Sequence, residues 1–264
     1  LEKGCLCMSY CTVRGIRIYY EMEGQGDPVI LLHGACQDTL SWRFNIKPLA
    51  EKFQVYAIDL PGHGKSALLP EGPVDNLEAY ADFVIDFIDT LQIKNPIIVG
   101  HSMSGGIGMY IALKRPENTR LVVPVDGAAF TNGTYGAELF SNVAINTPDW
   151  MEINFRTICS KNTSPERVNE IAFDVQRCAP KVAYNDIYAY GNFSLRDRVA
   201  DLQVPIFFIH GEDDWSITPE MARETQKMLK CRSEFRLLAG NGHFPHTENP
   251  DSFNKAFLEL MELL

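Results

Sequence analysis

Short apolar-rich runs alternate along the chain with segments whose apolar residues recur every three or four positions. The runs are Pro28–Leu32, Gln54–Ile58, Pro96–Val99, Leu121–Val125, Pro205–Ile209 and Ser233–Leu238. Continuous runs of this length fit strands buried on both faces of a sheet. Arg14–Glu23 alternates apolar with polar positions and reads as a half-buried strand. Leu77–Leu91, Met103–Lys114, Pro219–Met228 and Asp251–Leu264 carry helical periodicity. Strands alternating with helices predict an α/β domain built on a mostly parallel sheet with right-handed crossovers.

The alternation stops between Phe130 and Ser194, where no convincing strand run occurs. This stretch contains helix-like pieces, among them Ser164–Arg177, with Ser164 placed to cap and Pro165 at the first helical position. It also holds Tyr135, Phe140, Trp150, Phe155, Tyr188 and further aromatics. A stretch of this length exceeds an ordinary crossover. It reads as a helical cap, 130–194, inserted over the strand ends of a core made of 1–129 and 195–264.

Composition narrows the function classes. The 264 residues are 45% apolar and 22% charged, an ordinary globular balance, and 24 basic against 34 acidic residues leave a net charge of −10. That charge, with no basic patch, argues against nucleic acid as a partner. No run approaches the ~18 apolar residues of a membrane span. Seven cysteines, an odd number in a chain this size, read as free thiols of a reducing compartment. Cys5, Cys7 and Cys11 lack the further ligands of a zinc site, so no metal is expected there. The first residues show no basic stretch followed by a long apolar one, so no secretory leader is read.

The richest stretch is Pro96-Ile97-Ile98-Val99-Gly100-His101-Ser102-Met103-Ser104-Gly105-Gly106. A serine between a buried strand and an apolar helix must sit on a sharp turn, and the residues two before and two after it must be small; Gly100 and Ser104 are. A serine nucleophile needs a base, and the base needs an orienting carboxylate. Of six histidines, His243 lies in the loop between the last strand and the last helix, with His246 its competitor in the same loop. Carboxylates follow the strand ending at His210, namely Glu212, Asp213 and Asp214, while Asp126 follows Leu121–Val125. Leu31-Leu32-His33-Gly34-Ala35-Cys36 forms a turn able to expose the Ala35 amide, which with the Met103 amide would supply two donors to an oxyanion.

Taken in order, His33-Gly34 with Trp42, Asp59-Leu60-Pro61-Gly62-His63-Gly64-Lys65-Ser66, Gly100 to Gly105, His210-Gly211-Glu212-Asp213-Asp214 and Gly242-His243-Phe244-Pro245 resemble the serine hydrolases of the α/β-hydrolase fold. The resemblance implies an eight-stranded, mostly parallel sheet flanked by helices, with a cap after the sixth strand. It implies the order nucleophile Ser102, acid Asp214, histidine His243, and no cofactor. Ser104 stands where the commonest elbow has glycine. Ser102 argues against relatives with an aspartate nucleophile, such as epoxide hydrolases. The expectation is a cytoplasmic serine hydrolase acting on a small or medium carboxylic ester, thioester or lactone. Phe130 and Trp215 are expected to touch that substrate. Carbon–carbon bond hydrolysis of a diketone-like substrate is the alternative chemistry, although relatives with that activity often carry Trp where Phe244 stands. A small-molecule receptor of the same fold is the non-catalytic alternative.

Overall fold

The structure, a computed structural model, describes residues 7–131 and 147–264. Tyr135, Phe140 and Cys5 lie outside the described residues. Strands β1 (Cys7–Val13), β2 (Ile16–Glu23), β3 (Pro28–Leu32), β4 (Gln54–Ile58), β5 (Ile97–His101), β6 (Leu121–Val125), β7 (Ile206–Gly211) and β8 (Ser233–Leu238) form one sheet. Their order is β1-β2-β4-β3-β5-β6-β7-β8. The pairs β1–β2 and β2–β4 are antiparallel and the others are parallel.

The continuous apolar runs resolve into two alternating faces, as a strand's period of two requires. Val29, Leu31, Val55, Ala57, Ile97, Val99 and Phe207 enter one core, while Ile30, Leu32, Ile58, Ile98, Val122 and Phe208 enter the other. The first core is covered by α1 (Ile46–Ala50) and α9 (Pro250–Met261), through Leu49, Phe253, Phe257 and Leu260. The second is covered by α2 (Leu77–Thr90), α3 (Met103–Lys114) and α7 (Pro219–Met228), through Phe83, Phe87, Ile107 and Met221.

Helix starts follow local chemistry. Asn76, Ser164, Thr218 and Asn249 each accept a hydrogen bond from a backbone N–H three residues on, and Pro165, Pro219 and Pro250 open their helices. Arg14, read from the sequence as strand, lies instead with Gly15 in the turn joining β1 to β2, at φ 50° and 79°. Positive φ at both central residues suits the tight turn between antiparallel strands. β1 itself escaped the sequence pattern. It is an edge strand with no apolar run, and its partner β2 supplies its ladder.

Between β6 and β7 the chain leaves the sheet. The described part of this insertion contains α4 (Thr147–Ile158), α5 (Pro165–Gln176) and α6 (Pro180–Gly191). Phe130 and Ser194 pair in an isolated antiparallel bridge where the chain departs and returns. Arg43 and Arg177 bind the buried Asp174, and Arg177 reaches Asp38, tying α5 to the core. A short helix, α8 (Pro245–Glu248), precedes α9. Among the described residues no helix is long and apolar enough to cross a membrane.

β3 lies between β4 and β5, so the chain order reverses there. The loops after β3 and β5 therefore leave the same strand edge in opposite directions and open a crevice. Ser102 and the turn 33–37 sit at that crevice.

Candidate active site

Ser102 holds φ 52° and ψ −117° between β5 and α3. Only a crowded turn keeps a side-chain-bearing residue there. The crowding is visible at Gly100, where an added Cβ would lie 2.0 Å from the Ser104 carbonyl oxygen. The Ser102 N–H donates to the Val125 carbonyl at 2.8 Å, anchoring the turn to β6. The Ser104 hydroxyl donates to the His33 carbonyl, tying the turn to the loop after β3.

The structure brings Ser102, His243 and Asp214 together in one chain of hydrogen bonds. The Ser102 hydroxyl donates to His243 Nε2 at 3.0 Å, and His243 Nδ1–H donates to Asp214 Oδ2 at 2.7 Å. Asp214 Oδ1 accepts from the Ser216 N–H, the Ser216 hydroxyl and the Ile217 N–H. Burial opposes charge on Asp214, yet the facing His243 imidazole and these donors hold its carboxyl below the usual range.

The loop of His243 is braced on both sides. Its N–H donates to the Ile158 carbonyl at 2.9 Å and its carbonyl accepts from His101 Nε2–H at 2.7 Å. Glu248 accepts from the N–H groups of Gly242 and Phe244, the residues flanking it, and from Ser160 and Thr163 of the insertion.

The competing side chains are placed elsewhere. His246 packs at a tilt against Trp42 and His101, with ring centroids 4.3 and 4.5 Å away, and neither of its ring nitrogens has a partner among the described residues. Asp213 accepts from the Ser160 hydroxyl at 2.6 Å. Asp126 lies behind Asp214, fully buried, accepting from the Gly211 N–H at 2.9 Å. The nearest oxygens of Asp126 and Asp214 and a nitrogen of His210 lie within 4.8 Å of one another. Burial, and then the neighbouring charge of Asp214, push the Asp126 carboxyl well above its usual range.

Ala35 lines the cleft at Ser102, and Met103 opens the helix behind it. Among the described residues neither backbone N–H meets an acceptor, although both residues are buried. Two unused buried donors beside a serine hydroxyl are the arrangement that a tetrahedral oxyanion requires.

The cleft at Ser102 is narrow and partly open to solvent. Met151, Phe155 and Ile158 of α4, Ile187 and Tyr190 of α6, and Ile217 and Phe244 make its walls largely apolar. Its wall residues on α4 recur at helical spacing, a signal present in the sequence that does not by itself tell a cavity wall from a core face.

Phe130 and Trp215, expected at the substrate, do not line this cleft. Phe130 is 1% exposed, packed in the core under the Arg196 guanidinium at the neck of the insertion. Trp215 is 58% exposed, and its indole N–H donates to the Thr157 carbonyl at the end of α4. In a turn that binds Asp214 through its backbone, Trp215 faces outward and its neighbours Ser216 and Ile217 face the cleft.

Fold and crevice together define an α/β hydrolase, and residues 29–256 match the alpha/beta hydrolase family: the chain belongs to it. The (E)-2-((N-methylformamido)methylene)succinate hydrolase of Acinetobacter baylyi is 24% identical over 92% of this chain and 94% of its own length. The dihydrolipoyllysine-residue acetyltransferase component of the acetoin cleaving system of Cupriavidus necator is 36% identical over 51% of this chain, a match spanning only 36% of that protein. Among solved structures, the enol-lactonase of Burkholderia xenovorans superposes with a TM-score of 0.86 at 21% identity, covering 96% of this chain and all of that one. A thermophilic esterase of Thermogutta terrifontis gives 0.86 at 22% identity, covering 97% and 98%.

Proposed function

We propose that this chain is a serine hydrolase that cleaves a small or medium carboxylic ester, thioester or lactone through an acyl-enzyme. The observation that carries the reading is the Ser102–His243–Asp214 hydrogen-bond chain at an apolar cleft, beside two unused backbone donors. The hydrolase and enol-lactonase that match along nearly their whole length are in keeping with it.

In this reading Ser102 Oγ attacks the substrate carbonyl while His243 Nε2 takes its proton. Asp214 fixes the tautomer with Nδ1 protonated and stabilises the imidazolium that forms. The N–H groups of Ala35 and Met103 receive the developing oxyanion. His243 then returns the proton to the leaving oxygen or sulfur, and water, deprotonated by the same imidazole, releases the acid. The apolar walls favour an acyl or alcohol part with little charge.

The test is a panel of esters, thioesters and lactones assayed with the wild type and Ser102→Ala, alongside labelling by a fluorophosphonate. Wild type should label and turn over at least one member of the panel. Ser102→Ala should lose labelling and fall by orders of magnitude in turnover. A Ser102→Ala variant that still labels and hydrolyses would refute the reading.

A further inference from the structure

The insertion carries a charge that the chemistry above does not use. Asp186 of α6 is fully buried, and three groups of the core hold its carboxylate. Oδ2 accepts from the Cys36 N–H and from His63 Nε2–H, each at 2.8 Å, and Oδ1 accepts from the Tyr80 hydroxyl at 2.7 Å. His63 Nδ1 faces the Pro61 carbonyl at 3.2 Å, so both ring nitrogens meet acceptors and the ring serves as an imidazolium. Burial opposes both charges; their mutual attraction prevails, lowering the Asp186 carboxyl and raising His63 to about 10.

An ion pair this deeply buried is a poor stabiliser, because apolar side chains of the same volume often do as well or better. What it does supply is position. Cys36 follows Ala35 and sits at φ 62°, a left-handed conformation that a side-chain-bearing residue keeps only when its neighbours impose it. The rest of the turn is pinned by the core. Leu60 N–H donates to His33 Nε2, which leaves His33 Nδ1–H to bind the Gly34 carbonyl at 2.8 Å. The Gly34 N–H reaches Gln37 Oε1, and the Ser104 hydroxyl holds the His33 carbonyl. The Cys36 N–H is anchored by the insertion instead, through Asp186. One residue further along α6, Ile187 lines the cleft, as does Tyr190.

We propose that Asp186 is a positioning residue for the oxyanion site. By holding the Cys36 N–H it sets the turn that aims the Ala35 N–H, so that seating α6 on the core and completing the oxyanion site are one event. The proposal rests on the serine-hydrolase reading. It assigns to the insertion a part in stabilising the transition state as well as in enclosing the substrate.

The experiment compares wild type, Asp186→Asn and Tyr80→Phe, with active sites counted by fluorophosphonate titration so that only folded molecules enter kcat. A short p-nitrophenyl ester is the substrate, and an alkylboronic acid, which binds serine as a tetrahedral adduct, is the probe of the oxyanion site. Asp186→Asn cannot supply three acceptors. It should lower kcat per titrated site by about 10–100-fold, less than the ~10²–10³ of deleting an oxyanion donor outright. KM should stay within about threefold, and boronate affinity should fall in step with kcat. Tyr80→Phe removes one bond from the opposite carboxylate oxygen and leaves the Cys36 contact. It should lower the melting temperature yet keep kcat per site within about twofold. If Asp186→Asn does not fold, Asp186→Glu keeps the charge, displaces it by one methylene, and should shift kcat and boronate affinity in the same direction. Unchanged kcat per site and boronate affinity in the folded variant would overturn the proposal, whatever the melting temperature. Loss of activity in Ser102→Ala beside an unaffected Asp186→Asn would overturn this proposal alone, whereas an active, labelled Ser102→Ala would overturn the hydrolase reading beneath it.

Discussion

Two buried carboxyl groups stand within a few ångströms of each other at the end of the sheet, and their surroundings divide the labour between them. Asp214 meets His243 and three donors from Ser216 and Ile217, whereas Asp126 has one donor, the Gly211 N–H, and a second oxygen, Oδ2, without a partner. Like charges this close oppose each other's ionisation, and it is Asp126 whose carboxyl is pushed up and Asp214 whose carboxyl is held down. Asp214→Asn should therefore cost up to about 10⁴ in kcat, because the histidine loses its tautomer and its counter-charge. Asp126→Asn keeps the shape and the acceptor for the Gly211 N–H at a group that makes no hydrogen bond to His243, and should leave kcat within about tenfold. Steady-state kinetics on an ester distinguishes the two, and a severe Asp126→Asn beside a mild Asp214→Asn would reverse the assignment. In the sequence alone Asp126, Asp213 and Asp214 were all admissible, and only the motif order of the resemblance favoured Asp214. Each follows a strand that ends at the same edge, and which one faces a histidine 29 positions beyond Asp214 is a matter of tertiary distance. The same limit applies to Asp186 and Glu248, whose partners lie as far as 150 positions away.

Among the elements, the turn from β5 into α3 is tightly constrained. Gly100 cannot accept a methyl group, since backbone atoms of Ser104 and Gly105 stand 2.0–2.8 Å from where it would go. Gly100→Ala should destabilise the fold by about 1–3 kcal/mol or more, several degrees in melting temperature, and should abolish serine labelling together with it. Thermal melts paired with fluorophosphonate labelling check this; a stable, fully labelled variant would mean that the turn relaxes without displacing Ser102. This element was readable because its demands are local: a buried strand, small flanking residues and an apolar helix within a single stretch. The wall of the cleft was not. Met151, Phe155 and Ile158 share a face of α4, but the pattern of a helix does not say whether that face meets core or cavity. Aromatic character misdirected the reading to Phe130 and Trp215, one of which packs the core and the other of which faces outward.

At the scale of the molecule, the buried histidines set opposing limits on the pH range of the fold. Burial, and then the neighbouring His63, depress His33 to about 3, and burial with the nearby His243 depresses His246 well below its ordinary value. Both must charge in the unfolded chain as pH falls below about 6.5, so each removes up to about 1.4 kcal/mol of stability per pH unit on the acid side. His63 behaves oppositely. Its folded value is raised to about 10, so its contribution is whole below about 6.5 and is lost as pH climbs toward 10. His33, Tyr80, Cys178 and Asp186 face it, and of these Asp186 supplies the opposing charge. Denaturant unfolding across pH 5–10 should show greatest stability near pH 6.5, with His63→Gln flattening the alkaline limb and His246→Gln the acid limb. Limbs unaltered by these substitutions would place the linkage in other groups. The sheet that holds these rings was legible from the alternation of apolar runs, because parallel strands buried on two faces leave a continuous signature. Its edge strand β1 was not, since half of its ladder belongs to solvent.

The indole of Trp215 joins the loop that holds Asp214 to the last turn of α4, the helix that walls the cleft. Trp42 is fully buried and Trp150 lies on α4 itself, 39% exposed. The molecule thus carries an optical gauge between that loop and α4. Lifting α4 breaks one N–H···O bond and bares an indole that is already half in water. Acrylamide quenching and emission wavelength, compared between wild type and Trp215→Phe, would then report any separation of α4 from that loop, without a label and independently of any chemistry at Ser102.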